Sequence, residues 1–172
     1  ESLGHRTILG TTEDLTIVNM EDVALGIGFP SYGLACPAIM ERFVENLPQA
    51  TRPAPAFVFS THAWSSGNAL TVMAEKLLKK NIHTVAREAF KCPSNGARTF
   101  FAPEHFMYRK MVTVDPDLPV RLDAFTGKIN GKLAIFTKKP FSDIGKKTMG
   151  NRLMGLFAKH VMEGRMYRDF KV

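Results

Sequence analysis

Two apolar runs, each breaking into a turn that carries hydroxyls and one aromatic, constrain this chain more than any other feature. The first is Asp22-Val-Ala-Leu-Gly-Ile-Gly-Phe-Pro-Ser-Tyr-Gly33, after which Pro37 opens an amphipathic segment. The second is Ala54-Pro-Ala-Phe-Val-Phe-Ser60, running into Thr61-His-Ala-Trp-Ser-Ser-Gly-Asn68. Apolar runs without polar alternation suit strands buried on both faces, as in parallel sheets. Ligands of open α/β sheets sit beyond the carboxyl ends of such strands. The turns bearing Tyr32 and Trp64 are therefore the first places to look for function.

Helical stripes separate these runs. Ile39, Met40, Phe43, Val44 and Leu47 share one face over residues 38–47, with Glu41, Arg42 and Glu45 outside and Pro48 as the stop. Gln49–Pro55, with two prolines, reads as a surface connection. Leu70, Met73, Ala74, Leu77 and Leu78 form the best stripe, which Ser65 or Ser66 is placed to cap and Lys76, Lys79 and Lys80 to close. Asn81 turns the chain into a third strand, Ile82–Phe90. Strands alternating with helices predict βαβ units with right-handed crossovers.

The remainder is weaker. His5–Leu9 and Leu15–Val18 are short strand candidates, and Glu1–Gly4 reads as a closing helical turn. Ala97–Val112 is helical in part around Pro103, Asp115–Pro119 is a loop, and Leu118–Ile129 carries a moderate helical stripe. Met149, Leu153, Leu156, Phe157, His160 and Val161 lie along one side of a last amphipathic helix.

Charge divides the chain. Of 172 residues and a net charge of +7, the part up to Thr137 contributes +1 and residues 138–172 contribute +6. The expectation is a nearly neutral domain, residues 1–137, followed by a basic connector, residues 138–172. That connector reads first as a solvated helix face and linker, with an acidic partner or an anionic membrane surface as the alternative; nucleic acid is not an expected partner. Cys36 and Cys92 make no disulfide framework and read as reduced thiols in a cytoplasmic protein. No run is long enough for a transmembrane segment.

Several chemistries fail on spacing. The five histidines are scattered, and neither a Cys-x-x-Cys nor a His-Glu-x-x-His occurs, so no metal ligand set is expected. Phe29 stands where a hydrolase elbow around Ser31 needs its first glycine. Neither a dinucleotide fingerprint nor a phosphate-binding Walker sequence is present.

What remains is the capacity to sandwich a flat ring with polar edges, since Tyr32 and Trp64 can stack and the nearby glycines allow close backbone approach. Gly26-Ile-Gly-Phe-Pro-Ser-Tyr32 with Pro37 and the helix ending at Leu47-Pro48 resembles the second ligand loop of flavodoxin-like proteins. Pro55-Ala-Phe-Val-Phe-Ser-Thr61 with Ser66-Gly-Asn-Ala-Leu70 resembles the third. Together with Lys91-Cys-Pro-Ser-Asn95, these resemble the flavodoxin-like half of the flavodoxin–ferredoxin fusion family, the EFR-type ferrodoxins, over roughly residues 1–130.

The resemblance implies an FMN-binding α/β domain, a three-layer doubly wound parallel sheet of five strands in order 2-1-3-4-5. It places Pro30, Ser31, Tyr32 and Gly33 on one side of the isoalloxazine. Thr61, His62, Ala63 and Trp64 fall on the other side, with Ser66, Gly67 and Asn68 near its polar edge. The family's first, central strand and phosphate loop would precede residue 1, and its two-cluster ferredoxin with 4Fe-4S clusters would follow residue 172. The implied role is electron transfer through FMN to an adjoining iron–sulfur domain or redox partner protein. Two alternatives stay open: a flavin-dependent quinone or NAD(P)H reductase, and a degenerate domain that has lost its flavin and acts as an interaction module.

Overall fold

The computed structural model describes residues 8–12, 23–32, 34–94, 96–151 and 153. The strand candidate Leu15–Val18, most of His5–Leu9 and the chain beyond Leu153 lie outside the described residues, as does Gly33. What is described is an α/β unit. Strands β1 (Leu25–Pro30), β2 (Ala54–His62) and β3 (Ile82–Lys91) alternate with helices α1 (Ala38–Asn46) and α2 (Ala69–Leu78). A longer excursion after β3 holds α3 (Ala97–Phe100) and α4 (Phe106–Val112), and leads into α5 (Leu118–Phe136). The three strands are parallel and lie in order β1-β2-β3, so all three loops leaving them emerge at one end of the sheet. Among the described residues, no helix is long and apolar enough to cross a membrane.

Each face of the sheet has its own core. On one face Ile27, Phe29, Ala56 and Val58 pack with Val44 and Leu47 of the α1 segment and Leu70, Met73 and Leu77 of α2. On the other, Val85, Ala86 and Phe90 pack with Phe125, Ile129 and Phe136 of α5, joined by Phe57 and Phe59. The aromatics there meet edge to face, Phe90 with Phe125 at 5.7 Å and Phe57 with Phe125 at 6.4 Å, the arrangement ring quadrupoles favour. Glu41 and Glu45 of α1 both reach Lys76 of α2, at 3.2 and 2.6 Å, tying the two helices of the first layer.

A bulge in β3 decides which of its residues face which layer. Ala56 pairs with Thr84 and Phe57 with Ala86, leaving Val85 as the extra residue. Ile82 and Ala89, an odd number of residues apart, would otherwise point to opposite faces. With the bulge, both join the α1–α2 core. The same shift sends Arg87 to the α2 side and Glu88 to the α5 side, where each finds a partner.

Five expectations are corrected. The first strand is buried on one face only: Ile27 and Phe29 are inside, while Gly26, Gly28 and Pro30 are exposed, because the α5 layer packs on β2 and β3 and its core takes in no residue of β1. It also begins at Leu25, leaving Val23 and Ala24 outside it. Ala54 and Pro55 belong to β2 rather than to a surface connection. The proline is tolerated because pairing with β1 begins only at Ala56. The cap of α2 is Asn68, not Ser65 or Ser66, and Ser66 contributes its main-chain carbonyl to the N–H of Ala69 instead. Finally, α5 continues past Ile129 to Phe136, because Leu133 and Phe136 extend the stripe that packs on the sheet.

Candidate functional site at the carboxyl end of the sheet

The loops leaving β1 and β2 are fastened to each other. Ser31 N–H donates to the carbonyl of Thr61 at 2.8 Å, extending the ladder one step beyond the strands. The single Ser31 hydroxyl proton has two carbonyl acceptors within reach, those of Thr61 (3.2 Å) and Ser65 (3.5 Å). Leu34 holds a left-handed φ of 68° and Gly67 a φ of 55°. A Cβ on Gly67 would fall against the carbonyl oxygen and Cβ of Leu34. Tyr32 and Ala35 close the first loop by exchanging two main-chain hydrogen bonds of 3.0 Å. In the second loop, the Ser65 hydroxyl accepts the N–H of Gly67 at 3.1 Å.

Two aromatics ride on this fastened pair. Tyr32 is 50% exposed and Trp64 51%, each on a loop from an adjacent strand at the same end of the sheet. Such exposure in large apolar side chains leaves ring faces open to a planar ligand. Pro30 ends β1, and Thr61 and His62 end β2. Ala63, Ser65, Ser66 and Gly67 are half-buried, and Asn68 is buried. Apart from Gly33, every sequence-predicted site residue therefore lies on these two connected turns or on the strand ends that carry them.

Their polar groups divide into two sets. Ser31, expected on one side of the ring, and Gly67 and Asn68, expected near its polar edge, hold the protein together here. Ser31 joins the loops, Gly67 bonds the Ser65 hydroxyl within the second loop, and the Asn68 carboxamide donates to the carbonyl of Thr148 (3.2 Å) and accepts its N–H (3.3 Å). The remaining polar side chains of the second turn are Thr61, His62 and Ser66, each half-buried. The Nδ1 of His62 is buried without a hydrogen-bond partner. Burial, with Arg121 and Lys91 adding to it, holds the imidazole below its ordinary value and so favours its neutral form.

The third loop borders the same end. Cys92 N–H donates to the carbonyl of His62 at 2.9 Å, and Ser94 N–H to that of Met111 at 2.9 Å. Phe101, His105 and Phe106 stack in series at 5.1 and 4.8 Å. Arg121 pins the start of α5 to the end of β3, bonding Glu88 (3.0 Å), Asp115 (2.9 Å) and the Ala89 carbonyl (2.7 Å) while lying over the Phe90 ring. The N–H of Asp117 and then the guanidinium hold the Asp115 carboxyl below the usual carboxylate range.

Sequence reasoning missed Leu34, Thr148 and the Arg121 cluster. A left-handed leucine has no compositional signal, and Thr148 meets Asn68 from far along the chain. No group of three or more His, Cys, Asp or Glu able to hold a metal occurs among the described residues. No protein-family model matches the chain, and no curated protein or solved structure is significantly similar to it.

Proposed function

We propose that this chain is a flavodoxin-like FMN-binding electron-transfer module that passes electrons to or from an adjoining iron–sulfur domain. The observation that carries the reading is the fastened pair of loops, which holds two half-exposed aromatics at the carboxyl end of adjacent parallel strands. Loops locked to each other before a ligand arrives lose little entropy when it binds. In this reading Tyr32 and Trp64 supply stacking faces, Pro30 and Ala63 the apolar floor, and Thr61 and Ser66 polar edge contacts. A neutral His62 adds no positive charge beside the ring.

FMN when bound supplies the redox chemistry, and the protein's part is to bind, orient and shield its ring. Electron transfer needs no general acid, base or nucleophile from the chain. An exposed ring edge here would face a partner directly, which suits exchange with an iron–sulfur acceptor.

Titrating FMN into the full chain tests the reading. A saturable change in flavin absorbance and fluorescence is expected, followed by reoxidation of the reduced complex by a 4Fe-4S ferredoxin. Steady NAD(P)H oxidation with quinones would point to the reductase instead. No spectral change would remove the flavin reading altogether.

A further inference from the structure

The chain leaving α5 does not drift away from the domain. Residues 141–148 run as a strap along the outer edge of β3, from the amino end of that strand to the amino end of α2. Phe141 packs edge to face on Phe136 at 6.1 Å, and the Ser142 hydroxyl pairs with Nδ1 of His83 at 3.0 Å. Asp143 N–H donates to the free-edge carbonyl of Thr84 at 2.7 Å, and its carboxylate takes the Arg87 guanidinium at 3.1 Å. Gly145, at φ 75°, lies so close beneath that guanidinium that any side chain there would displace it. Lys147 pairs with Glu75 of α2, and Thr148 then meets Asn68 through two hydrogen bonds.

The strap thus ends on a residue of the candidate site. Asn68 caps α2 with its backbone while its side chain makes no cap bond in the helix. That carboxamide is held instead by the main chain of Thr148, and Gly67 beside it is wedged against Leu34. The connections run from Asp143, docked on β3, through Thr148 and Asn68 to the turn that carries Trp64 and is fastened to the loop of Tyr32.

We propose that residues 141–148 are a positioning strap for the ligand site. Docked on β3, the strap fixes Asn68 and the turn before α2, so that strap docking and occupancy of the site favour each other. Thr148 is the positioning residue, acting through Asn68. The bulge at Val85 is part of the device, since it turns Arg87 toward Asp143. Because linkage is reciprocal, a ligand on the loops must tighten the strap by the same factor that the strap tightens the ligand.

The test uses the full chain and acts at a distance from the site. Asp143→Lys sets two cations together at Arg87, and the reversed pair Arg87→Glu/Asp143→Lys restores attraction. Hydrogen exchange is read at the amides of residues 66–72, and FMN serves as the ligand probe. In Asp143→Lys those amides exchange at least about fivefold faster and FMN affinity falls by a similar factor, and the reversed pair recovers both. Lys147→Glu, a milder change facing Glu75, moves both readouts in the same direction and serves if Asp143→Lys does not fold. Release of the strap amides with residues 66–72 and FMN affinity unchanged would overturn the proposal. The affinity arm rests on the flavin reading, whereas the exchange arm does not. A chain that takes no FMN therefore defeats that reading while exchange still decides the coupling.

Discussion

Leu34 and Gly67 meet back to back, each with a positive φ, and between them they join the loops leaving β1 and β2. A left-handed leucine is costly, and it persists here because Gly67 leaves the space that a side chain would fill. The contact lies two residues from Tyr32 and three from Trp64 along the chain. Backbone strain at this junction is thus matched to the place where a ligand is proposed to bind.

Gly67→Ala brings a Cβ into the Leu34 carbonyl and forces a non-glycine residue to φ 55°. Urea unfolding is expected to show a loss of about 1–3 kcal/mol. Gly96→Ala, at φ −83° with nothing nearer than Ser94, is the control and is expected to change stability by no more than about 0.5 kcal/mol. Equal effects at both glycines would mean that the loop contact contributes nothing special.

Gly28→Val tests the other face of β1. The Phe59 ring lies over Gly28, so an added side chain must push it from its edge-to-face contact with Phe90 at 6.4 Å. Because this face of β1 is exposed and the Phe59 ring half-buried, the cost is expected at the low end of overpacking, about 1 kcal/mol. A thermal shift of the variant is the measurement, and an unchanged midpoint would show that the ring swings out freely.

Much of this was legible from the chain itself, and the reason is periodicity. The stripe from Leu70 to Leu77 carries one helical period and formed where that period placed it, and the apolar run through Phe57–Ser60 formed the body of β2, which reaches further at both ends. Boundaries shifted where tertiary contacts prevailed, as at α5, which Leu133 and Phe136 extend over the sheet. The exposed glycines of β1 were illegible, because an apolar run does not say whether a neighbour covers both faces. At the site, the turns and their aromatics followed from the strand ends, but the pairings of Ser31 and Asn68 did not. A hydroxyl or carboxamide near a strand end reads the same whether it meets a ligand or a neighbouring loop.

Acidification should weaken the fold through His83. Its ring bonds Asn81 at 3.2 Å and Ser142 at 3.0 Å, leans on Phe136, and is held by burial below its ordinary value of 6.5. The unfolded chain therefore binds a proton more readily than the folded one. Stability is full above the ordinary value and is lost as pH falls through 6.5 toward the depressed folded value. His62 acts in the same direction. Unfolding midpoints between pH 7.5 and about pH 5 are expected to fall more steeply in the native chain than in His83→Gln. Parallel slopes would assign the acid loss elsewhere.

Tyr32 and Trp64 contribute little to the fold at half exposure, so alanine at either is expected to alter stability by less than about 0.5 kcal/mol. Each removes a stacking surface worth about 0.5–1.5 kcal/mol, a rise of roughly two- to tenfold in the dissociation constant for FMN. Isothermal titration of the two variants measures this. A large stability loss with unchanged affinity would make them packing residues instead.

The most direct measurement is a nuclear magnetic resonance titration of the full chain with FMN, read at the backbone amides and at the single indole N–H of Trp64. Saturable shifts are expected at Ser31–Tyr32, Thr61–Asn68 and the Trp64 indole, with smaller ones at Thr148. Shifts absent at millimolar FMN, or centred on α4, α5 or the far end of the sheet, would contradict the proposed site.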